Sequence, residues 1–267
     1  MGKAERLTAE LRSFQEIWLG GFFAGDPQDP LFGLFGLNSY IGVSHAIYLC
    51  CIKPYVTPTT TVLEIGCGRG AWSRLMLHAK ALFCVDALSA EHNGFFGYVG
   101  KHDHVSYFQV DDFSLSMLAD NAVDFVFSYD ALCHASLAAI GEYIHSLKRV
   151  MRPGAHGIIM VADYEKFNRF FDTLKESNIL NCLASRKRYS ILRPIVKVAV
   201  DFTTRINKRR FRFRRLSLDE DDLPRPGRWY HAGTGAVCDV LSSNGFEVLD
   251  EDMNIDRRSP LIHFGKK

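Results

Sequence analysis

No C-x-x-C pair occurs anywhere in the 267 residues, although seven cysteines are present. That absence argues against zinc ribbons and thioredoxin-like redox sites. Cys50, Cys51, Cys67, Cys84, Cys133, Cys182 and Cys238 are odd in number, and several sit in apolar runs, where a thiol packs as a small hydrophobe. A reducing compartment, the cytoplasm, suits them. A dominant charge is missing too. Lys and Arg total 32 against 30 for Asp and Glu, a formal net charge of +2, which gives no global signature of nucleic-acid binding. Internal repeats and low-complexity segments are absent. The opening stretch MGKAERLTAELRSF lacks a signal-peptide pattern, being charged with helical spacing. Arg6 stands where a myristoylation motif after Met1-Gly2 wants Ser or Thr. Only Leu31 to Ile52 approaches the charge-free length of a bilayer span. Gly33, Gly36, Asn38, Ser39, Gly42 and His45 interrupt it, so it reads as a buried lid or core segment.

What is there suffices for a large core, since 47% of the residues are hydrophobic. Leu7, Leu11, Phe14 and Trp18 recur at helical spacing over 5–18. A second helix is expected over 38–53, ending before Pro54. The texture then changes to short β-rich runs: 61–65, 81–85 ending on Asp86, 105–110 ending on Asp111-Asp112, and 123–128. Residues 70–79 and 136–151 look helical, with Pro153-Gly154 stopping the latter before a fifth strand at 156–162. A helix near 233–243 and strands near 246–249 and 261–264 close the chain. Strands alternating with helices indicate a parallel sheet covered on both faces.

The strongest local signal is Val62-Leu63-Glu64-Ile65-Gly66-Cys67-Gly68-Arg69-Gly70, a strand running into glycines. Glycine permits a sharp turn and lets a ligand approach the backbone. About twenty residues on, Asp86 ends the next strand, where a carboxylate can accept from both hydroxyls of a ribose. The motif also satisfies a dinucleotide fingerprint, through Gly66-x-Gly68-x-x-Ala71. Three features favour a different adenosine ligand. The negative charge of Glu64 suits a cationic cofactor better than a pyrophosphate. Asp112 is placed to reach an adenine amino group, with Phe113 able to pack on the ring. The passage Leu147-Lys148-Arg149-Val150-Met151-Arg152-Pro153-Gly154 leads directly into a hydrophobic strand.

These residues resemble the class I S-adenosylmethionine-dependent methyltransferases. VLEIGCGRG looks like their first motif, Asp86 matches their ribose-binding acid, and Asp112-Phe113 matches their adenine station. FVFSYDALCHAS resembles the segment after their fourth strand, and LKRVMRPGAHGIIMV the passage into their fifth. The resemblance is close over 55–163 and loose over 229–265. It implies a Rossmann-like α/β fold with a seven-stranded, mostly parallel sheet, its last strand antiparallel, and S-adenosyl-L-methionine as cofactor. The cofactor-binding set it implies is Glu64, Gly66, Cys67, Gly68, Asp86, Ala87, Asp112, Phe113, Ser128 and Tyr129. Four regions follow: a helical lid over 1–53, a cofactor-binding core over 54–163, a basic insertion over 164–228 and C-terminal strands over 229–267. DALSAEHNGFFGYVGK and RWYHAGTG…GFEV…SPLIHF are similar to methyltransferases of bacterial surface-polysaccharide gene clusters, which implies a sugar or glycan acceptor.

A hydroxyl acceptor needs a base or a metal, because it is a poor nucleophile near neutral pH. His134, just past strand four, is the leading candidate, since histidine as a residue titrates near working pH. Asp130 and His231 are the others. Plainer readings compete: His134 and Asp130 could simply pack or cap the following helix. No metal ligand is assigned; Asp130 with Asp163 is only a speculative pairing. Arg186 to Arg215 is strongly basic with interleaved aromatics. It suits an anionic acceptor or an anionic membrane surface, and the plainer reading is a solvated helix balanced by Asp219 to Asp222. A nucleic-acid methyltransferase is the rival function, as is a small-molecule N- or carboxyl methyltransferase. Against nucleic acid, Ser128-Tyr129-Asp130-Ala131 stands where an Asn-Pro-Pro-Tyr-like motif would be expected. The expected location is cytoplasmic, with a peripheral position at the inner membrane face open through the basic run.

Overall fold

The computed structural model describes residues 3–17, 43–176 and 229–267. It divides into two units, one comprising 1–163 with 221–267 and the other 164–220. Within the described part of the second unit, Tyr164–Glu176 forms an amphipathic helix. The basic run at 186–215 and residues 18–42 lie outside the described residues. Among the described residues, no helix is long and apolar enough to cross a membrane.

The first unit is built on a seven-stranded sheet of order β3-β2-β1-β4-β5-β7-β6. Its strands are β1 (Thr61–Ile65), β2 (Ala81–Asp86), β3 (Val105–Gln109), β4 (Val123–Ser128), β5 (Met151–Met160), β6 (Phe246–Asp250) and β7 (Leu261–Lys266). The first five pair in parallel, while β7 runs antiparallel to both β5 and β6. This is the expected Rossmann-like arrangement. Every residue of β1 is buried, as a central strand covered on both faces requires. Alternation along it divides the core: Leu63 and Ile65 join one apolar cluster and Val62 joins the other.

Helix α1 (Lys3–Ile17) contributes buried Leu11 to the first cluster. The segment α2 (Val43–Ile47) passes into a π-helical turn over Tyr48–Ile52, burying Ile47, Cys51 and Ile52 in the second. Short helices α3 (Ala90–Asn93) and α4 (Phe95–Val99) follow β2. Helix α5 (Leu137–Val150) buries Ile140, Tyr143, Ile144, Leu147 and Val150, and Ser136 caps it by accepting from the Ala139 N–H at 3.2 Å. Helix α7 (Thr234–Ser243) precedes β6; α6 is the Tyr164–Glu176 helix.

Two local expectations are corrected. Residues 70–79 form turns and a 3₁₀ segment, Ser73–Met76, rather than an α-helix. Strand β5 starts at Met151 and runs through Pro153-Gly154 instead of after it. The register slips between Val123 and Phe125 of β4, which face Met151 and His156, and that irregularity accommodates a proline lacking an N–H.

Candidate active site

Parallel register brings four strand ends to one edge. Ile65 lies beside Val85, Glu64 beside Phe127, and Asp86 beside Gln109. The strand order reverses direction between β1 and β4, and such a switch point leaves a crevice beyond the strand ends. The residues that follow β1, β2, β3 and β4 therefore share one rim.

The loop after β1 turns through three left-handed glycines: Gly66 at φ 74°, Gly68 at 51° and Gly70 at 96°. At Gly66 the demand is also steric, because an added Cβ would lie 2.1 Å from the Cβ of Ala131 in the loop after β4. The glycine loop and the β4 loop thus touch. Asp86 anchors the same corner. Its Oδ2 accepts from the Gly68 N–H at 2.8 Å and its Oδ1 from the Leu88 N–H at 2.9 Å. Burial pushes its carboxyl up, and these N–H groups, the Asn93 side chain and the Ala87 N–H pull it back. Asn93 also donates to the Tyr107 hydroxyl at 2.7 Å, and that hydroxyl donates to the Leu88 carbonyl at 2.8 Å. An amide that would cradle a pyrophosphate, that of Gly68, is already given to a carboxylate. That bond fixes the Asp86 carboxylate against the glycine loop.

Glu64 is differently placed from the sequence expectation. It is 2% exposed, accepts from the Ser73 hydroxyl at 2.5 Å and lies 4.0 Å from the Cys84 thiol. Burial pushes its carboxyl up to about 8, Ser73 opposing this and the Asp86 charge adding to it. Burial thus disfavours the Glu64 charge, and the side chain braces the loop from beneath through Ser73. Cys67 also turns inward, and burial raises its thiol well above the ordinary range. Phe113 is buried edge-on against Tyr143, ring centroids 4.9 Å apart, so its ring belongs to the core rather than standing open for an adenine. Asp112 is exposed and accepts from the Ser114 N–H and hydroxyl at 2.9 and 2.8 Å. The Ala87 carbonyl accepts from the Gln109 side chain at 3.1 Å. Ser128 donates to the Ile65 carbonyl at 2.9 Å and so ties β4 to β1.

The opposite side of the rim is richer. Tyr129 stacks edge-on with Trp72 at 5.1 Å and donates to Asp256 at 2.9 Å. Asp130 adopts φ 58°, an uncommon conformation for a residue with a side chain. Its Oδ1 accepts from Arg258 at 3.3 Å and from the Cys133 thiol at 3.7 Å. The Arg258 guanidinium lies 4.6 Å over the Trp229 ring, and Trp229 meets His134 edge-on at 6.3 Å. His134 and Asp130 thus share one cluster: ligand atoms of Asp130, Cys133 and His134 lie within 4.8 Å of one another. A cation could use that trio, but Arg258 already supplies a positive charge to the carboxylate.

The Trp229–Gly233 segment is laid against this turn, since the Tyr230 N–H donates to the Cys133 carbonyl at 3.0 Å. Within it, the His231 ring lies beside Gly233, at the end of β5. Asp163 accepts from the Thr234 N–H and hydroxyl at 3.0 and 2.7 Å, capping α7 rather than joining Asp130. The sequence reading missed Trp229, Arg258, Asp256 and Trp72. A faint signal existed, because tryptophan is scarce, with three in the chain, and Trp229 sits in the quoted RWYHAGTG.

Residues 63–159 match the family model described as a methyltransferase domain. No curated protein matches in sequence. Among solved structures, an S-adenosylmethionine-dependent methyltransferase from Mesorhizobium loti is 18% identical, with 47% of this chain and 56% of that one covered at a TM-score of 0.40. Just over half of that protein's length is thus spanned. A methyltransferase from Aquifex aeolicus is 16% identical, over 90% and 98% of the two chains, at 0.49. Magnesium protoporphyrin IX methyltransferase from Synechocystis, solved with bound S-adenosylhomocysteine, is 13% identical over 83% and 80%, at 0.47. Residues 63–159, the stretch from β1 into β5, are thus similar to a methyltransferase domain.

Proposed function

We propose that this protein transfers the methyl group of S-adenosylmethionine to a hydroxyl of a small polar acceptor, a sugar or glycan. The observation that carries the reading is the cluster after β4, where Asp130, His134, Trp229 and Arg258 converge beside the glycine loop. Bound there, the cofactor supplies a methyl on a positively charged sulfur, so the protein's share is alignment, exclusion of water and management of one proton. Asp86 holds the ribose hydroxyls, the Gly66–Gly70 loop admits the ligand to the backbone, and Asp112 faces the adenine side. Tyr129, positioned by Asp256 and Trp72, walls the reacting end.

A ring nitrogen of His134 takes the acceptor's proton as the S–CH₃ bond breaks and the O–CH₃ bond forms. Trp229 fixes the imidazole edge-on, and Arg258 holds Asp130 in its left-handed conformation. His231 contacts the acceptor from the neighbouring segment. The polysaccharide-cluster resemblance supports the sugar, and the cytoplasm supplies the cofactor. The basic composition of 186–215 suits an anionic acceptor or membrane, while nucleic acid is the competing acceptor.

The test is transfer of label from labelled cofactor to nucleotide sugars, oligosaccharides and RNA, with and without magnesium. His134→Ala should lower turnover by about 10²-fold or more and leave cofactor affinity nearly unchanged. Wild-type turnover in that variant, with loss on EDTA treatment, would overturn the base and favour a metal on Asp130. Indifference to both would mean a stronger nucleophile than an alcohol.

A further inference from the structure

Helix α1 meets the turn after β4 through Glu10. Glu10 is 1% exposed on a helix whose Leu11 is packed into the core. Its carboxylate accepts two hydrogen bonds from one residue 126 positions away, one from the Ser136 N–H and one from the Ser136 hydroxyl at 2.8 Å. Ser136 is also the cap of α5, its oxygen accepting from Ala139, so it donates to Glu10 and accepts from the helix at once. Burying a carboxylate is costly unless such donors meet it. The two bonds are charge-assisted, the stronger kind. Ser136 stands two residues after His134 in the turn, where the His134 and Ala135 N–H groups donate to the carbonyls of Ala131 and Leu132. Ala131 is the residue that touches Gly66.

We infer that Glu10 is a positioning residue: its clasp on Ser136 makes the docking of α1 and the shape of the 130–136 turn a single equilibrium, so that His134 is set for proton transfer only when α1 is down. The catalytic half of this statement rests on the reading above, and the structural half does not. A carboxylate accepts from both donors, whereas an amide at position 10 accepts from the N–H and needs the hydroxyl to turn and accept from it, without the charge.

The test uses the full-length protein, wild type, Glu10→Ala and Glu10→Gln. Amide hydrogen exchange is followed over 3–17 and 130–140, and the His134 imidazole resonances by NMR. Calorimetry with S-adenosylhomocysteine runs alongside. Glu10→Ala should speed exchange in both segments by about tenfold or more, with β1 and β5 unchanged. It should also move the His134 resonances, and Glu10→Gln should fall between it and wild type on both readouts. If Glu10→Ala does not fold, the Gln variant carries the comparison. Faster exchange confined to 3–17, with the His134 resonances fixed, would overturn the proposal and leave Glu10 as an anchor of α1 alone. Exchange unchanged everywhere would overturn it as well. Wild type that fails to bind S-adenosylhomocysteine would instead count against the cofactor reading, with the exchange result still deciding the clasp.

Discussion

Glu64 illustrates how a residue's chemistry follows from its face of a strand. Alternation along β1 puts it on the side of Val62, among buried residues and against Ser73 and Cys84. Its raised pKa links folding to proton uptake. The contribution is fully present below the ordinary value of 4.5 and is lost as pH rises through about 8. Glu64→Gln keeps the shape and cannot ionise. Urea unfolding of the two proteins across that interval should therefore show a flatter dependence on pH in the variant, with the gap turning toward the variant as pH rises. A constant gap at every pH would mean that folding leaves the Glu64 pKa unshifted. The residue was conspicuous in the sequence, but its protonation state was not, since that depends on Ser73 and Cys84 closing over it. Phe113 and Cys67 misled for the same reason: a residue next to a ligand motif can still point inward.

At the scale of elements, strands were legible because apolar runs closed by Gly or Asp bound them closely. Helix α5 was legible from its apolar spacing and from Ser136. The start of β5 was not, because a Pro-Gly pair ordinarily stops an element, whereas here it sits in a strand whose register slips against β4. Gly157 in β5 faces Phe264 of the antiparallel β7. A Cβ there would lie 2.2 Å from the ring's Cζ, and that ring is fully buried and packed edge-on against Phe246 at 5.2 Å. Gly157→Ala should destabilise the protein by about 1–3 kcal/mol, the usual cost of overpacking, and thermal unfolding will read it as a lower Tm. No change would show that Phe264 moves aside freely. The sequence marked a glycine in a strand without revealing which ring needed the space.

At the scale of the whole molecule, the rim beyond the strand ends was readable because its parts directly follow strands in the chain: the glycine loop after β1, Asp86 at the end of β2, Asp112 after β3 and Tyr129-Asp130 after β4. The cluster around Asp130 was not, because its parts arrive from far apart. Trp229 comes by way of the backbone bond to Cys133, Arg258 from the connection between β6 and β7, and Glu10 from the N-terminal helix. No local pattern announces such convergence. Asp86 braces the glycine loop through the Gly68 N–H, and an acid at this position suits the ribose of either a methyl donor or a dinucleotide. Titration calorimetry of the full-length protein with S-adenosylmethionine, S-adenosylhomocysteine and NAD decides between them. Saturable binding of the first two, none of NAD, and a loss of about 1.5–3 kcal/mol in Asp86→Ala is the predicted result. Folded wild-type protein that ignores S-adenosylmethionine, or that binds NAD tightly in its place, would contradict it.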